Sequence, residues 1–277
     1  MNTRTIQLLS QSSLQDYVDC ALRFRLRYLE RLSYPAVESE PALENEKHQQ
    51  EGEYFHRLVQ QYLIGLPAAR VGKMANTDNL RRWWDHFLRA FPNREELGTV
   101  YPELTLSAPL DHYRLLAKYD LIAVRDGKAT IYDWKTYRKR PRNEWLSARM
   151  QTRVYRALLV KAGTHLNKGV PFRPEEIEMI YWFAEFPNEP ARFEYMTDQY
   201  QRDWDLLAKL SGEVTLGQAQ GASSYPQTDD RQKCAYCTYR SYCERGIGAG
   251  DWDEAEAEMQ AEELFDVNFE QIGEIAF

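Results

Sequence analysis

The chain has 277 residues, of which 43% are hydrophobic, enough for one large α/β domain or for two small ones. It has no apolar run of membrane-spanning length, and its first residues lack the charged start and apolar stretch of a secretory signal, so we expect a cytoplasmic protein. The net charge of -7 does not exclude nucleic-acid binding, because residues 251–277 contain ten acidic and no basic residues and the other 250 residues have a net charge of +3.

The first third of the chain is predicted to be mostly helical. Ser13 is the expected N-cap of a first helix, with Asp16 three positions on and an apolar stripe that continues to Tyr28. The charged segment 38–53 predicts an exposed loop. Helices are then expected at about 54–64 and at 80–91.

From Val100 the composition changes to residues typical of β-strands, and turn signals divide the segment into three strands that end near Thr136. The Asp126-Gly127 pair is a strong hairpin signal, because a two-residue type I′ turn needs positive φ at both positions. In that register every pair sums to 253, which places Asp120 opposite Asp133.

The second half begins with a basic helix at about 143–162. Nine basic residues and one acid lie between Lys135 and Lys161, a composition that can attract phosphates but that a solvated helix face also has. Two more strands, one more helix and a cysteine-rich segment follow. No internal repeat or Gly/Ser linker is present, so we expect one domain at 1–250 and an acidic tail at 251–277.

Three charged side chains converge in the predicted hairpin. Asp133 and Lys135 share a face because side chains alternate along a strand, and Asp120 projects from that face across the pair. Opposed carboxylates repel unless a cation lies between them, and such ligands suit Mg²⁺ or Mn²⁺. A lysine beside the ion can orient or help deprotonate a water that attacks a phosphate. The alternative is a salt bridge of Lys135 with either aspartate.

These residues resemble the PD-(D/E)XK nuclease superfamily, in its RecB-like branch. The matching motifs are Gly52-x-x-x-His56, Asp120, Asp133-x-Lys135 and Gln151-x-x-x-Tyr155. The resemblance covers about residues 10–246 and implies an α/β fold with a restriction-endonuclease-like core, a central mixed β-sheet flanked by helices. Two positions depart from the usual pattern: Lys118 replaces a common glycine, and Asp133 replaces a common glutamate.

The resemblance also implies roles for these residues. The metal ligands would be His56, Asp120, Asp133 and the main-chain carbonyl of Trp134, and Glu103 matches an acid that some members carry near the metal.

Lys135 would activate water, while Gln151 and Tyr155 would position the DNA strand or the carboxylates. DNA contacts are expected from the basic residues that follow: Arg138, Lys139, Arg140, Arg142, Arg149 and Arg153.

The chain has four cysteines, and three of them form a C-x2-C-x5-C arrangement. They are Cys234, Cys237 and Cys243, and the fourth, Cys20, lies near the other end of the chain. Disulfides are rare in cytoplasmic proteins, so clustered cysteines indicate a metal. Four thiolates suit a zinc ion or an iron-sulfur cluster, and the spacing favours iron-sulfur somewhat, because zinc ribbons usually use two C-x2-C knuckles. The further alternative is four free thiols.

The resemblance implies the iron-sulfur alternative. RecB-like nucleases of the AddB type and the related CRISPR-associated exonucleases bind a 4Fe-4S cluster with one N-terminal cysteine and a C-terminal C-x2-C-x5-C. In this chain Cys20 and the later three would form such a set, although Ala21 stands where a proline is common. The cluster would join the N-terminal and C-terminal segments of the nuclease domain.

The resemblance therefore implies a Mg²⁺- or Mn²⁺-dependent deoxyribonuclease, an exonuclease of single-stranded DNA in repair, recombination or CRISPR-type processing. A helicase or a CRISPR protein would be its partner, and no membrane is involved. The chain has no G-x-x-x-x-G-K-[ST] loop, so a helicase motor would be another polypeptide. The alternative function is a non-catalytic DNA-binding or scaffold subunit of a helicase-nuclease complex with a structural metal cluster.

The acidic tail has two interpretations. It is either a solvated, partly helical segment or, because Trp252, Phe265 and Phe269 stand among its acids, a segment that docks a partner or shields the DNA groove.

Overall fold

A six-stranded mixed β-sheet runs through the middle of the protein. The computed structural model describes residues 8–33, 40–234 and 237–246, with only the backbone described for 40–46. The strands are β1 (Leu8–Ser10), β2 (Thr99–Leu110), β3 (Tyr113–Arg125), β4 (Lys128–Lys135), β5 (Ile177–Phe183) and β6 (Ala191–Glu194). The helices are α1 (Gln11–Asp19), α2 (Ala21–Phe24), α3 (Glu40–Leu63), α4 (Ala68–Gly72), α5 (Asp78–Ala90), α6 (Asn143–Ala148), α7 (Met150–Ala162) and α8 (Thr197–Gln220).

Helices cover both faces of the sheet. On one face α1, α7 and α8 contribute Leu14, Val154 and Leu207 to the larger core. On the other face α3 and α5 contribute Phe55 and Trp83 to a second, aromatic-rich core. The expectation of an α/β fold with a central mixed sheet flanked by helices is confirmed, because the sheet combines parallel and antiparallel pairs.

The hairpin between β3 and β4 has the predicted register. Arg125 pairs with Lys128 and Leu121 pairs with Tyr132, so each pair sums to 253. Asp126 and Gly127 both have positive φ, of 53° and 77°, as a type I′ turn requires. The hydrogen-bonded ladder ends at the pair of Leu121 and Tyr132, so the predicted pair of Asp120 and Asp133 lies just beyond its end.

Three local predictions are wrong. The N-cap of α1 is Ser10, whose side chain accepts from the amide of Ser13, so Ser13 is the N3 residue of a capping box. The segment 38–53, expected to be a loop, is helical from Glu40, because it forms the first part of α3. The basic helix is two helices, since Arg149 has an extended backbone between α6 and α7.

Within the described residues, no helix is both long enough and apolar enough to cross a membrane. The predicted domain boundary at 250 and the acidic tail 251–277 lie outside the residues that the structure describes.

Candidate active site

The site forms where two strands leave a gap along one edge of β3. On that edge β1 pairs with 114–116 and β4 pairs with 121–125, while β2 occupies the other edge almost throughout. Residues 117–120 therefore lie between the ends of β1 and β4. Side chains supply hydrogen-bond partners for backbone groups in this gap. The Tyr155 hydroxyl donates to the carbonyl of Lys118 at 2.7 Å, and the amide of Trp134 donates to the Asp120 carboxylate at 2.8 Å.

The side-chain alternation of β3 changes phase at this gap. Tyr119 packs in the core under α7, whereas Leu121, two residues on, packs in the core under α3. The neighbouring strand is also irregular, because Glu103, opposite Asp120 in the register of β2 and β3, has a φ of 54°. A non-glycine residue at positive φ is strained by about 1–3 kcal/mol. The irregularity lets groups from both faces of the sheet meet.

One group of side chains in the gap has the spacing of metal ligands. His56 on α3, Glu103 on β2 and Asp120 on β3 each offer one ligand atom, and these atoms lie within 4.8 Å of one another. His56 Nδ1 is 3.2 Å from Asp120 Oδ1. The two carboxylates suit Mg²⁺ or Mn²⁺, and the imidazole is a donor that transition metals accept more readily than Mg²⁺ does. The residues therefore fit a divalent cation.

The three groups shift one another's pKa. Burial alone would raise the pKa of Asp120, but His56 and the amide of Trp134 outweigh burial and lower it. Burial would lower the pKa of His56, but the Asp120 charge raises it. Burial and the Asp120 charge raise the pKa of Glu103, although Lys118 opposes them. Each shift follows from charges held together out of water.

A second group lies beside the first and includes the lysine. Asp133 and Lys135, at the end of β4, are only 2% and 4% exposed. Lys135 Nζ is 2.6 Å from Asp133 Oδ1 and donates to Gln151 Oε1 at 3.1 Å, while Gln151 Nε2 donates to Asp133 Oδ2 at 2.7 Å. Gln151 thus connects the two charged groups of the buried pair.

Burial and pairing act against each other in this group. Burial raises the pKa of Asp133 to about 6, although Lys135 works in the opposite direction. Burial would lower the pKa of Lys135, but the Asp133 charge outweighs it and raises that pKa, so Lys135 is an ammonium ion here. The Lys135 ammonium also lies 5.4 Å from the centre of the Tyr181 ring.

The structure brings most of the predicted site residues together, but in two groups. Asp120 belongs to the group with His56, whereas Asp133 faces Lys135 and Gln151. One cavity reaches members of both groups but is not lined by His56 or Lys135. Its lining consists of Ser10, Gln11, Ser12, Glu103, Leu116, Lys118, Asp120, Asp133, Gln151 and Tyr155. For Trp134 the observed contact is made by its amide, so the predicted role of its carbonyl stays a prediction.

Gly52 explains how α3 brings His56 to the sheet. A Cβ atom at Gly52 would lie 3.0 Å from Thr136 Oγ1, so a larger residue here would press on the Thr136 side chain at the end of β4. One turn earlier, His48 Nε2 is 2.9 Å from the carbonyl oxygen of Thr136. These contacts fix the helix that carries His56.

The basic residues expected to contact DNA divide into two sets. Arg140 is bonded to the carbonyl of Glu189, Arg149 lies over the Trp145 ring, and Arg153 is paired with Asp203 at 2.7 Å. The other three are exposed on the segment between β4 and α6, namely Arg138, Lys139 and Arg142. The second set is the better placed to meet a nucleic acid.

The four cysteines line one cavity, although Cys20 is far from the others in sequence. Burial and the nearby Cys20 thiol raise the pKa values of Cys234 and Cys243. Several thiolates close together repel one another, so a bound cation would replace their protons. The four sulfur donors fit either a zinc ion or an iron-sulfur cluster.

Sequence reasoning missed Lys118 and the residues 10–12 as parts of the site. Lys118 forms an ion pair with Glu103, and Ser10, Gln11 and Ser12 form one wall of the cavity at the start of α1. The alternation of β3 does place Lys118 two positions before Asp120, which is a signal that could have suggested it. The three-residue strand β1 gave no comparable signal.

Comparisons with known proteins identify the family of the chain. The solved structures that are similar to the chain include a protein of Eubacterium rectale named as a candidate exonuclease, with 8% identity, a TM-score of 0.48 and coverage of 76% of this chain and 80% of that one. Another is a protein named SSO0001, with 12% identity, a TM-score of 0.39 and coverage of 87% of this chain and 88% of that one. None of the curated proteins is similar enough to match the chain. The family model of the PD-(D/E)XK nuclease superfamily matches residues 8–244, which include both groups of site residues and all four cysteines. On that match, the chain belongs to the PD-(D/E)XK nuclease superfamily.

Proposed function

We propose that this protein is a Mg²⁺- or Mn²⁺-dependent deoxyribonuclease that removes nucleotides from the ends of single-stranded DNA. The observation that carries the proposal is the group of His56, Glu103 and Asp120, with ligand atoms within 4.8 Å, beside the buried pair of Asp133 and Lys135. A salt bridge alone would need neither the histidine nor the second and third carboxylates. The setting we propose is DNA repair, recombination or CRISPR-type processing, with a helicase or a CRISPR protein as partner.

The chemistry would be hydrolysis of a phosphodiester: the oxygen of a water bonds to phosphorus and the bond from phosphorus to the leaving sugar oxygen breaks. The water would lose a proton to solvent, and the leaving oxygen would take one from solvent. A divalent cation bound by His56, Glu103 and Asp120 would polarise the phosphate oxygens and the attacking water. Asp133 would accept a hydrogen bond from that water. The Lys135 ammonium, held in place by Gln151, would orient the water and stabilise the negative charge that develops on the phosphate.

The DNA strand would reach the site across the exposed basic segment. Arg138, Lys139 and Arg142 follow Lys135 by three to seven residues, so they lie within about 25 Å of it even along extended chain. Their cations would contact phosphates and would give binding that depends on salt rather than on base sequence.

We propose that the four cysteines hold a 4Fe-4S cluster, with zinc as the alternative. Cys20 and the three C-terminal cysteines would supply the four thiolate ligands. A cluster at this position would connect α2 to the segment after α8. Metal analysis of anaerobically purified protein tests this: iron with acid-labile sulfide supports the cluster, and zinc without sulfide supports the alternative.

The proposed activity is tested with end-labelled linear and covalently closed circular single-stranded DNA, each incubated with Mg²⁺, Mn²⁺ or EDTA. Anaerobically purified wild-type protein is compared with Lys135→Ala, and RNA of the same sequence is a further substrate. We expect degradation of linear DNA only, loss of that activity in EDTA, and no activity in the variant. If wild type and variant both bind DNA and neither cuts it, the protein is a non-catalytic DNA-binding subunit.

A further inference from the structure

Lys118 is the lysine among the residues that line the cavity, and its surroundings differ from those of Lys135. The Lys118 side chain is 40% exposed and forms an ion pair with Glu103, whereas Lys135 is buried and held by Asp133 and Gln151. The two lysines thus pair with different carboxylates, Lys118 with Glu103 and Lys135 with Asp133. Lys118 is therefore the lysine that could change partner without unfolding its surroundings.

The charge of the site indicates what Lys118 is for. Ionised Glu103, Asp120 and Asp133 carry three negative charges, and Lys135 together with one divalent cation would carry three positive charges. These charges cancel, so Lys118 supplies the positive charge available for a phosphate of the substrate. A cation that binds Glu103 would also weaken the pull of Glu103 on Lys118.

The cavity wall facing these charges is polar. Ser10, Gln11 and Ser12, at the first turn of α1, line the cavity together with Lys118. Hydroxyl and amide groups at a helix start can donate hydrogen bonds to an anion, and they add to the attraction of a lysine. A phosphate near Lys118 would thus be partly surrounded by donors.

We infer that Lys118 is a substrate-positioning residue that binds the phosphate next to the scissile one. The inference rests on the proposed nuclease function and adds a subsite to it. In the free protein Glu103 holds the Lys118 ammonium, and on binding of metal and DNA the ammonium moves to a non-bridging oxygen of that neighbouring phosphate. Lys135, held by Asp133 and Gln151, acts at the scissile phosphate.

The test combines a substitution with a modified substrate. Full-length wild type, Lys118→Met and Lys118→Arg are compared on end-labelled oligonucleotides that carry one neutral methylphosphonate at each phosphate flanking the cleaved bond in turn. Lys209→Met is the matched control, because Lys209 is exposed on α8 and also pairs with a glutamate, Glu213. We measure kcat, KM and the salt dependence of kcat/KM.

We expect Lys118→Met to lower kcat/KM by about 10- to 100-fold, mainly through KM, and Lys118→Arg to restore most of it. At one flanking position the methylphosphonate should weaken wild type by a similar factor and leave Lys118→Met unaffected. The salt slope of the Lys118→Met variant should fall by about 0.7. Full additivity of substitution and methylphosphonate at every position would overturn the inference.

Metal binding is followed in the same variants by the rise in Tm with Mn²⁺. A rise equal to that of wild type shows that Lys118→Met leaves Glu103 able to bind metal, as the inference requires. Loss of that rise would mean that Lys118 supports Glu103 and not the substrate, and would overturn the inference alone. Failure of wild type to cut any substrate would overturn the proposed function and the subsite together.

Discussion

Lys135 balances the charge of a carboxylate that burial alone would force to be neutral. Asp133 is almost completely buried, and the ammonium at 2.6 Å together with the Gln151 amide is what makes its ionised form tolerable. The pair therefore does two things. It keeps a carboxylate charged beside the proposed metal ligands, and it holds an ammonium ion where the proposed mechanism places the reacting phosphate.

We expect Lys135→Met to abolish activity and to destabilise the protein at neutral pH by about 3 kcal/mol, because a buried charge loses its partner. The pKa of Asp133, about 6 in the folded protein, is above its unfolded value, so at pH 5 the carboxyl is mostly protonated and the pair matters less. The loss in unfolding free energy should thus be larger at pH 8 than at pH 5, as urea denaturation at both pH values can measure.

Lys161→Met is the control for this experiment, since the exposed Lys161 ammonium lies over the Trp204 ring and faces no carboxylate in the cavity. It should cost less than about 1 kcal/mol and show no such pH dependence. Equal stability of Lys135→Met and wild type at pH 8 would contradict the role given to the pair.

The Asp120 carboxylate belongs to the group with His56 and Glu103, and it also accepts a hydrogen bond from the Trp134 amide of β4. We expect Mn²⁺ to raise the Tm of wild type, because a ligand at about 100 times its Kd stabilises the folded state by about 2.7 kcal/mol. Asp120→Asn should lose most of this rise while it keeps the bond from the Trp134 amide. Asp205→Asn, at an exposed position on α8, should behave as wild type. A full Mn²⁺ effect in Asp120→Asn would exclude this residue as a ligand.

The sequence predicts some of these residues better than others. Asp133 and Lys135 follow from strand alternation, and Asp120 follows from the register set by the Asp-Gly turn. The contact of Glu103 with the site could not be predicted in this way, because it depends on a residue at positive φ in the middle of a strand. Alternation likewise fails to predict the change of face between Tyr119 and Leu121.

Helix α3 is the element that carries His56 across to the sheet. It is held against the end of β4 by the close approach at Gly52 and by the contact of His48 with Thr136. Its first half was not predicted, because charged and polar residues at its start give little periodicity. The pairing of β1 with β3 also escaped prediction, since a three-residue strand has too few positions to show a pattern.

Gly52→Val should displace α3 and separate His56 from Asp120. The added isopropyl group would overlap Thr136, and such overpacking should lower the unfolding free energy by about 1–3 kcal/mol. Activity should fall more than about tenfold. Gly52→Ala should be much milder, because the better helix propensity of alanine offsets part of the contact. Stability and cleavage are measured for each variant.

Gly212→Val is the matched control for that substitution, since Gly212 lies in α8 with no atom within 4 Å of an added Cβ. It should leave cleavage unchanged. If Gly52→Val cut DNA as well as Gly212→Val does, the approach of α3 at Gly52 would not matter for the site.

The charge of the whole chain is divided between a basic part and an acidic end. Deleting residues 251–277 removes ten negative charges and changes the net charge from -7 to +3. If the tail shields the DNA groove, the deletion should raise the rate of association with single-stranded DNA by about tenfold at low salt, and the gain should vanish at high salt. A variant with the tail acids changed to Asn and Gln should match the deletion. Unchanged DNA affinity in both would exclude shielding.

The two ends of the described chain meet at the cysteine cavity, which makes the N-terminal helices and the segment after α8 depend on each other. Cys20 lies at the start of α2, and the Tyr239 hydroxyl donates to the carbonyl of Leu32, so the contact extends beyond the thiols. Few apolar residues support this corner: its small core contains Leu26, Cys237 and Tyr239. A bound metal would therefore supply much of its stability.

Cys20→Ser should separate these ends without unfolding the sheet. We expect loss of the bound metal, a Tm lowered by about 5 °C or more, and rapid proteolysis of the segment after α8, while the core from β2 to α8 resists the protease. Metal content, Tm and mass spectrometry of the fragments are measured on anaerobic protein. Thr238→Ser, an exposed neighbour of Cys237, should keep the metal and resist proteolysis. Retained metal and unchanged proteolysis in Cys20→Ser would mean that the two ends are joined by packing and hydrogen bonds alone.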